Sequence, residues 1–191
     1  MVLKLKYAKY NILTFFKGRE IRMQMIKIFI LFVIFVLSNL IGKMVAGKYR
    51  YRLEELKEMK SALSIFKTKI KFTYEPIPEI FGEISSNLHT NISKIFKSAN
   101  ENMKTQNAGQ AWEEAVRTSQ NYMNKEDKNI MQMMGKMLGQ SDVEGQISQI
   151  EITEEFLNKQ LEDAEKEKTK NEKLYQKLGT ILGLTLVTIL I

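Results

Sequence analysis

The chain has 191 residues, 44% of them hydrophobic and 27% charged, with a formal net charge of +7 and no cysteine. That length admits one compact domain with one or two membrane segments, and the missing cysteine excludes disulfides, thiolate catalysis and cysteine metal sites. The positive charge does not describe a nucleic-acid surface: Lys4, Lys6, Lys9, Lys17, Arg19 and Arg22 crowd the start against Glu20 alone, and no basic cluster interleaved with aromatics follows to track phosphates.

Proline occurs only at Pro76 and Pro78, and β-branched residues do not alternate with polar ones over any length, so the chain reads as all-α. Residues 1–24 form a basic N-terminal extension. Residues 25–46 then carry only Lys27 and Lys43 as charges, near the two ends. A helix of that length reaches about 33 Å, enough for a hydrocarbon core of about 30 Å, and both lysines can snorkel to headgroups. A cleaved signal peptide is the rival reading. Met44-Val45-Ala46-Gly47 is a poor small-x-small cleavage site and the apolar run is too long, so an uncleaved anchor is expected.

Residues 47–174 read as a helical domain. Leu53, Leu56, Lys60, Leu63, Lys67 and Ile70 recur at helical spacing, with Met59 and Phe66 beside them. Arg50, Arg52, Glu54, Glu55 and Lys57 are expected on the outer faces. Pro76 and Pro78 end this helix. A short helix from about Pro78 should turn Ile80, Phe81, Ile84 and Leu88 inward, and a third should bury Ile92, Ile95, Phe96, Ala99 and Met103. After a turn at residues 104–107, Ala111, Trp112, Ala115 and Val116 form one side of a fourth helix. Asn124 is placed to cap a fifth, with Asp127 at its third position. Ile130, Met133, Met134, Met137 and Leu138 form its stripe, and Gly139 suits the left-handed turn after it.

From a cap at Ser141 or Asp142, a long final helix repeats Val143, Ile147, Ile150, Glu154, Leu157, Leu161, Ala164, Lys168, Asn171, Tyr175 and Leu178 at spacings of four and three. Polar members break that seam, which favours a packed helix over a coiled coil. Glu162–Lys166, Glu165–Lys168 and Glu167–Lys170 are expected as surface ion pairs. Residues 175–191 run on without a breaker into a second apolar helix of about 25 Å, short for a bilayer but workable with thinning. A buried core helix is the alternative, yet the only polar side chains after Leu178 are Thr180, Thr185 and Thr188, and a domain this small could hardly enclose a helix apolar all round.

An antiparallel helical bundle flanked by N- and C-terminal transmembrane helices is therefore expected, in contact with the lipid bilayer. Lys166, Lys168, Lys170, Lys173 and Lys177 precede the second span, so the positive-inside rule places the central domain in the cytoplasm. Two spans then put the basic residues 1–22 outside, against that rule. A translation start at Met23 or Met25 rather than Met1 resolves the conflict, and mass spectrometry of the native N-terminus tests it.

No catalytic, cofactor-binding or metal site is expected. His89 is alone and reads as a polar turn residue, Trp112 as core, and Glu113-Glu114 and Glu154-Glu155 as solvated faces, since neighbours in a helix point apart. Met131, Met133, Met134 and Met137 read chiefly as core, with an adaptable binding surface as the other use of such a face. Ser38 and Gly42, and Gly179 and Gly183, repeat a small-xxx-small spacing that lets membrane helices approach closely, with homo-oligomerisation as one outcome.

Several segments resemble the stage III sporulation protein AB family: Pro76-Ile77-Pro78-Glu79, Gln110-Ala111-Trp112-Glu113-Glu114-Ala115, Lys125-Glu126-Asp127, Met137-Leu138-Gly139-Gln140-Ser141-Asp142, and the run Lys170-Asn171-Glu172-Lys173-Leu174-Tyr175-Gln176-Lys177-Leu178-Gly179. The resemblance implies a type II secretion F-like cytoplasmic domain, similar to the F and PilC platform proteins. It also implies a non-enzymatic platform or docking role in the mother cell–forespore channel complex, partnered by the secretion-type sporulation ATPase and other channel subunits of the same operon. Pro76, Pro78, Trp112, Gly139, Gln140, Ser141, Asp142 and Tyr175 carry the motifs, in structural roles. A membrane-bound signalling or regulatory bundle is the competing function class, and it would need a ligand pocket or modification site feeding a helix.

Overall fold

The computed structural model describes the backbone of residues 2–191 and the side chains of residues 22–191; of the basic extension expected over residues 1–24, residues 1–21 lie outside the described side chains. Among the described residues six helices follow in chain order: α1 (Val2–Phe72), α2 (Ile77–Asn87), α3 (Asn91–Asn102), α4 (Ala108–Thr118), α5 (Lys125–Gly135) and α6 (Val143–Leu190). No strand occurs among the described residues. The chain divides into an apolar unit, residues 1–45 with 173–191, and a helical unit, residues 46–172. Both α1 and α6 contribute to each.

The boundaries within the helical unit follow local chemistry. Pro76 occupies the extended N-cap position of α2, where its missing donor costs nothing. Tyr74 holds the preceding turn at a φ of 55°, in the left-handed region. The Thr90 hydroxyl caps α3 by accepting from the Ile92 amide, and the Asn107 side chain caps α4 through Gln110. Asn124 and Asp127 form a complete capping box on α5, each side chain accepting from the other's amide at 2.8 Å. Gly139 turns the chain toward α6 at a φ of +71°, a conformation side chains with a Cβ resist. Asp142 then caps α6 by accepting from the Gly145 amide at 2.9 Å.

The core of the helical unit is an aromatic stack within an aliphatic shell. Phe66 meets Phe81 at 5.0 Å between ring centroids, Phe81 meets Phe96 at 5.0 Å, and Trp112 lies against both, 5.5 Å from Phe81 and 5.1 Å from Phe96. These edge-on and steeply tilted arrangements are among the favoured ones for aromatic rings. Leu56, Met59, Leu63, Ile80, Ile84, Ile92, Ile95 and Met131 close around them, all essentially without exposure. Trp112 donates its indole N–H to the Met131 carbonyl at 2.6 Å, so burial leaves it no unmet donor.

Three expected faces are corrected. On α1 the buried line passes through Met59, Ala62 and Phe66, while Lys60 is exposed and Lys67 half-buried. On α5 it passes through Met131 in place of Met133 and Met137, which are part-exposed. The expected pairs on α6 give way to Lys166–Asp163, while Glu167 pairs with Arg52. On α6 the deepest positions are Ile150, Thr153, Leu157, Gln160 and Ala164. Burial here follows tertiary neighbours, so a seam inferred from spacing can be displaced by one helix position.

In the apolar unit α1 and α6 run antiparallel. Lys27 donates to the main-chain oxygen of Ile191 at 2.6 Å, and Ser38 to the carbonyl of Gly179 at 2.8 Å. Leu31 is buried, while many of the other apolar side chains point outward: Phe29, Phe32, Ile181, Leu182 and Ile189 are each more than half exposed. Among the described residues one helical stretch, Arg22–Phe72, is long and apolar enough to cross a membrane by length and composition. The shorter apolar end of α6 does not meet that measure by itself.

Candidate functional site

The chemistry of the helical unit is concentrated where α1, α5 and α6 meet. Arg52 falls on the same α1 line as Leu56, Met59 and Leu63, one turn before Leu56, so its stem enters the core; it is 6% exposed. Its guanidinium grips the fully buried Asp127 in bidentate fashion, Nε to Oδ2 at 2.8 Å and Nη2 to Oδ1 at 3.0 Å. The same head donates from Nη1 to Glu167 at 2.7 Å and from Nη2 to the Gln160 amide oxygen at 3.1 Å. These bonds, the one to Asp127 foremost, raise the Arg52 pKa above its ordinary value. A planar fork satisfied on both edges is the geometry in which a buried arginine is tolerated.

Asp127 has two tasks: it completes the α5 capping box through Asn124 and neutralises Arg52. One carboxylate thereby fixes the start of α5 to the face of α1.

Glu55, one residue round the helix from the core line, is also buried. Desolvation pushes its carboxyl pKa up, although it accepts from Asn91 Nδ2 at 2.7 Å and from the Tyr122 amide at 2.6 Å. Glu58, a turn away, accepts from the His89 amide at 2.8 Å and from the amide and hydroxyl of Thr90. Together the two glutamates tie the α2–α3 turn and the segment before α5 to α1. Glu55 borders an open groove of about 420 Å³, whose lining also includes Tyr51, Glu54, His89, Asn91 and Tyr122. Among the described residues no group of His, Cys, Asp and Glu is arranged to hold a metal ion.

The motif residues take structural places. Pro76 starts α2, Pro78 lies exposed in its first turn, and Trp112 centres the aromatic stack. A Cβ at Gly139 would stand 3.2 Å from the Ala108 Cβ and 3.8 Å from Ile77 Cδ1. Two motif segments distant in sequence, those of Ile77 and Gly139, thus meet the start of α4 at one turn. Gln140 is exposed; Ser141 donates to the Met137 carbonyl at 3.1 Å, and its own carbonyl accepts from Gln146; Asp142 caps α6.

In the apolar unit the small residues meet. A Cβ at Gly42 would lie 2.8 Å from the Tyr175 carbonyl oxygen and 2.9 Å from Gly179 Cα, and one at Gly179 would lie 2.9 Å from the Ser38 carbonyl. A Cβ at Gly183 would lie 3.0 Å from Phe35 Cδ2 and 3.2 Å from the Ser38 Cβ. Beside this contact Thr180 donates to Asn39 Oδ1 at 2.7 Å, and Asn39 returns its amide to the Phe35 carbonyl at 2.8 Å.

Sequence reasoning missed Arg52, Glu55, Asp127 as an ion-pair partner, Thr153 and Gln160. The signal for Arg52 and Gln160 was present: each falls on a three-four line with apolar neighbours, where a charged or amide side chain must find a buried partner. Glu55 carried no such signal, because its partners come from α3 and the segment before α5.

The family model for stage III sporulation protein AB matches residues 27–191. The stage III sporulation protein AB of Bacillus subtilis (strain 168) is 24% identical over 161 residues, covering 82% of this chain and 94% of that protein. A solved structure of a stage III sporulation protein AB shares the fold with a TM-score of 0.57 at 20% identity, covering 62% of this chain and 96% of its own.

Proposed function

The chain belongs to the stage III sporulation protein AB family, and from that premise we propose that it is a non-enzymatic membrane platform of the mother cell–forespore channel. It crosses the membrane twice, holds its helical unit on the cytoplasmic, mother-cell side, and presents that unit to the secretion-type ATPase and other channel subunits. The observation that carries this reading is the apolar unit. Its two helices spend their small residues on each other and turn Phe29, Phe32, Ile181 and Ile189 outward, which suits lipid as the surrounding medium. The short second helix is supported as a span by its pairing with the longer first one. Its orientation is supported by Lys166, Lys168, Lys170, Lys173 and Lys177 just ahead of it.

The helical unit suits docking. Its charged core groups are locked to one another, Arg52 to Asp127 and Glu55 to Asn91, so they orient helices and leave the surface to partners. Affinity purification of the full chain from sporulating cells in mild detergent tests the proposal. Recovery of the ATPase and channel subunits is expected. Repeated recovery of the chain alone, under conditions that keep neighbouring membrane complexes together, overturns it.

A further inference from the structure

Both units carry exposed basic side chains that their own ion pairs leave available. In the helical unit the Arg52–Glu167 bond, 2.7 Å long, fixes α1 beside α6. The helices are antiparallel there, since Lys67 meets Glu154 as Arg52 meets Glu167. Lys48 lies one turn before Arg52 and Lys170 one turn after Glu167, so the antiparallel arrangement carries both to the same end of the unit. Arg50, two residues after Lys48 on α1, is exposed; its guanidinium lies over the Tyr51 ring, 5.0 Å from the centroid, and makes a long 3.7 Å contact to the exposed Glu54. In the apolar unit Gly42 packs on the Tyr175 carbonyl. This brings Lys43 level with Lys173 and Lys177, all three exposed. The acids that act on Arg50 are Glu54 and Glu172, and Glu167 is already engaged by Arg52.

We propose that these two sets of cations, Lys48, Arg50 and Lys170 in the helical unit and Lys43, Lys173 and Lys177 in the apolar unit, bind the headgroups of anionic phospholipids. The occupant is a lipid surface because each set lies within a few residues of an apolar segment, with tyrosines (Tyr49, Tyr51, Tyr175) interspersed as at membrane–water boundaries. Lysine and arginine next to a span are drawn to anionic leaflets with an energy that salt screens. The inference rests on the membrane reading above and adds to it a preference of lipid class.

The test reconstitutes the full chain into phosphatidylcholine vesicles containing spin-labelled phosphatidylglycerol or spin-labelled phosphatidylcholine. The immobilised boundary fraction of each label is read by electron spin resonance. At low salt the phosphatidylglycerol label should be enriched at the protein roughly threefold, falling toward equality at about 1 M salt. The K43Q/K48Q/R50Q/K170Q/K173Q/K177Q variant should lose the enrichment, and a K94Q/K97Q/K104Q/K136Q control should keep it. Equal boundary fractions for both lipids on the unaltered chain overturn the proposal while leaving the membrane reading intact. So does loss of the preference in the control, or its displacement by inorganic phosphate at constant ionic strength. Absence of any immobilised lipid, with no co-flotation of chain and vesicles, overturns the membrane reading itself. The salt series on the unaltered chain decides the point even where the sixfold variant does not reconstitute.

Discussion

Arg52 and Asp127 show how much one buried pair can organise. Removing either partner strands the other charge in the core, at a cost of about 3–5 kcal/mol. Removing both eliminates the stranded charge, so the double variant R52A/D127A should be destabilised by clearly less than the sum of the single variants. Urea unfolding of the four proteins gives this coupling directly; additive losses would mean that the bidentate contact does not persist in solution. The Asp127→Ala member should lose somewhat more than Arg52→Ala, because it also removes the reciprocal cap with Asn124, a contribution of about 1 kcal/mol. Glu55 makes stability depend on pH. Burial raises its folded pKa above the unfolded value, so between the two the folded state holds more protons, and stability falls as pH rises through that window. A series of unfolding curves from pH 4 to pH 7 should show this slope in the unaltered chain and not in Glu55→Gln; identical slopes would show that the carboxyl titrates as it does in the unfolded chain.

At the scale of the element, the helices divide into two kinds. The short ones, α2 to α5, are defined by their caps and by one apolar face each, and each packs on its neighbour in sequence. The long ones, α1 and α6, have no single apolar face throughout, because each serves a packed core in one unit and presents apolar side chains outward in the other. Their contact in the apolar unit depends on the absence of side chains. Gly42→Val would drive two methyl groups toward the Tyr175 carbonyl and Gly179, where backbone cannot yield. The variant should melt several degrees below the parent in detergent, whereas Ile41→Val, at an exposed position, should be neutral. Equal melting of the two variants would show that the helices are not held in this close contact.

At the scale of the molecule, the large core lies within one unit: its buried members run from Leu53 to Ala164. A fragment of residues 46–172 keeps all of them, together with Arg52, Asp127, Gln160 and Glu167. It should therefore be expressed without detergent as a helical monomer with a cooperative melt. Sedimentation and thermal circular dichroism check this; a molten or aggregated fragment would mean that the apolar unit contributes to the core. Cooperative unfolding of the fragment would also allow the residue-scale energetics to be measured free of detergent.

The helical class, the boundaries at Pro76, Asn124 and Gly139, and most of the inward positions of α2, α3 and α4 are legible in the amino-acid order. These are set by local chemistry: a proline that cannot donate, an asparagine that caps, a glycine that accepts positive φ, and apolar spacing over a few turns. Family membership was also legible, in short motifs that prove to be caps, turns and a core tryptophan. Spacing marks Arg52 and Gln160 as side chains that need a buried partner, but which partner each one meets, and the burial of Glu55, are decided only in the packed fold. Arg52 and Asp127 are 75 residues apart, and nothing local distinguishes Glu55, held by Asn91 and Tyr122, from the exposed Glu54 beside it. A buried charge is stable only where a partner from another element meets it, and that meeting exists only once the helices have packed.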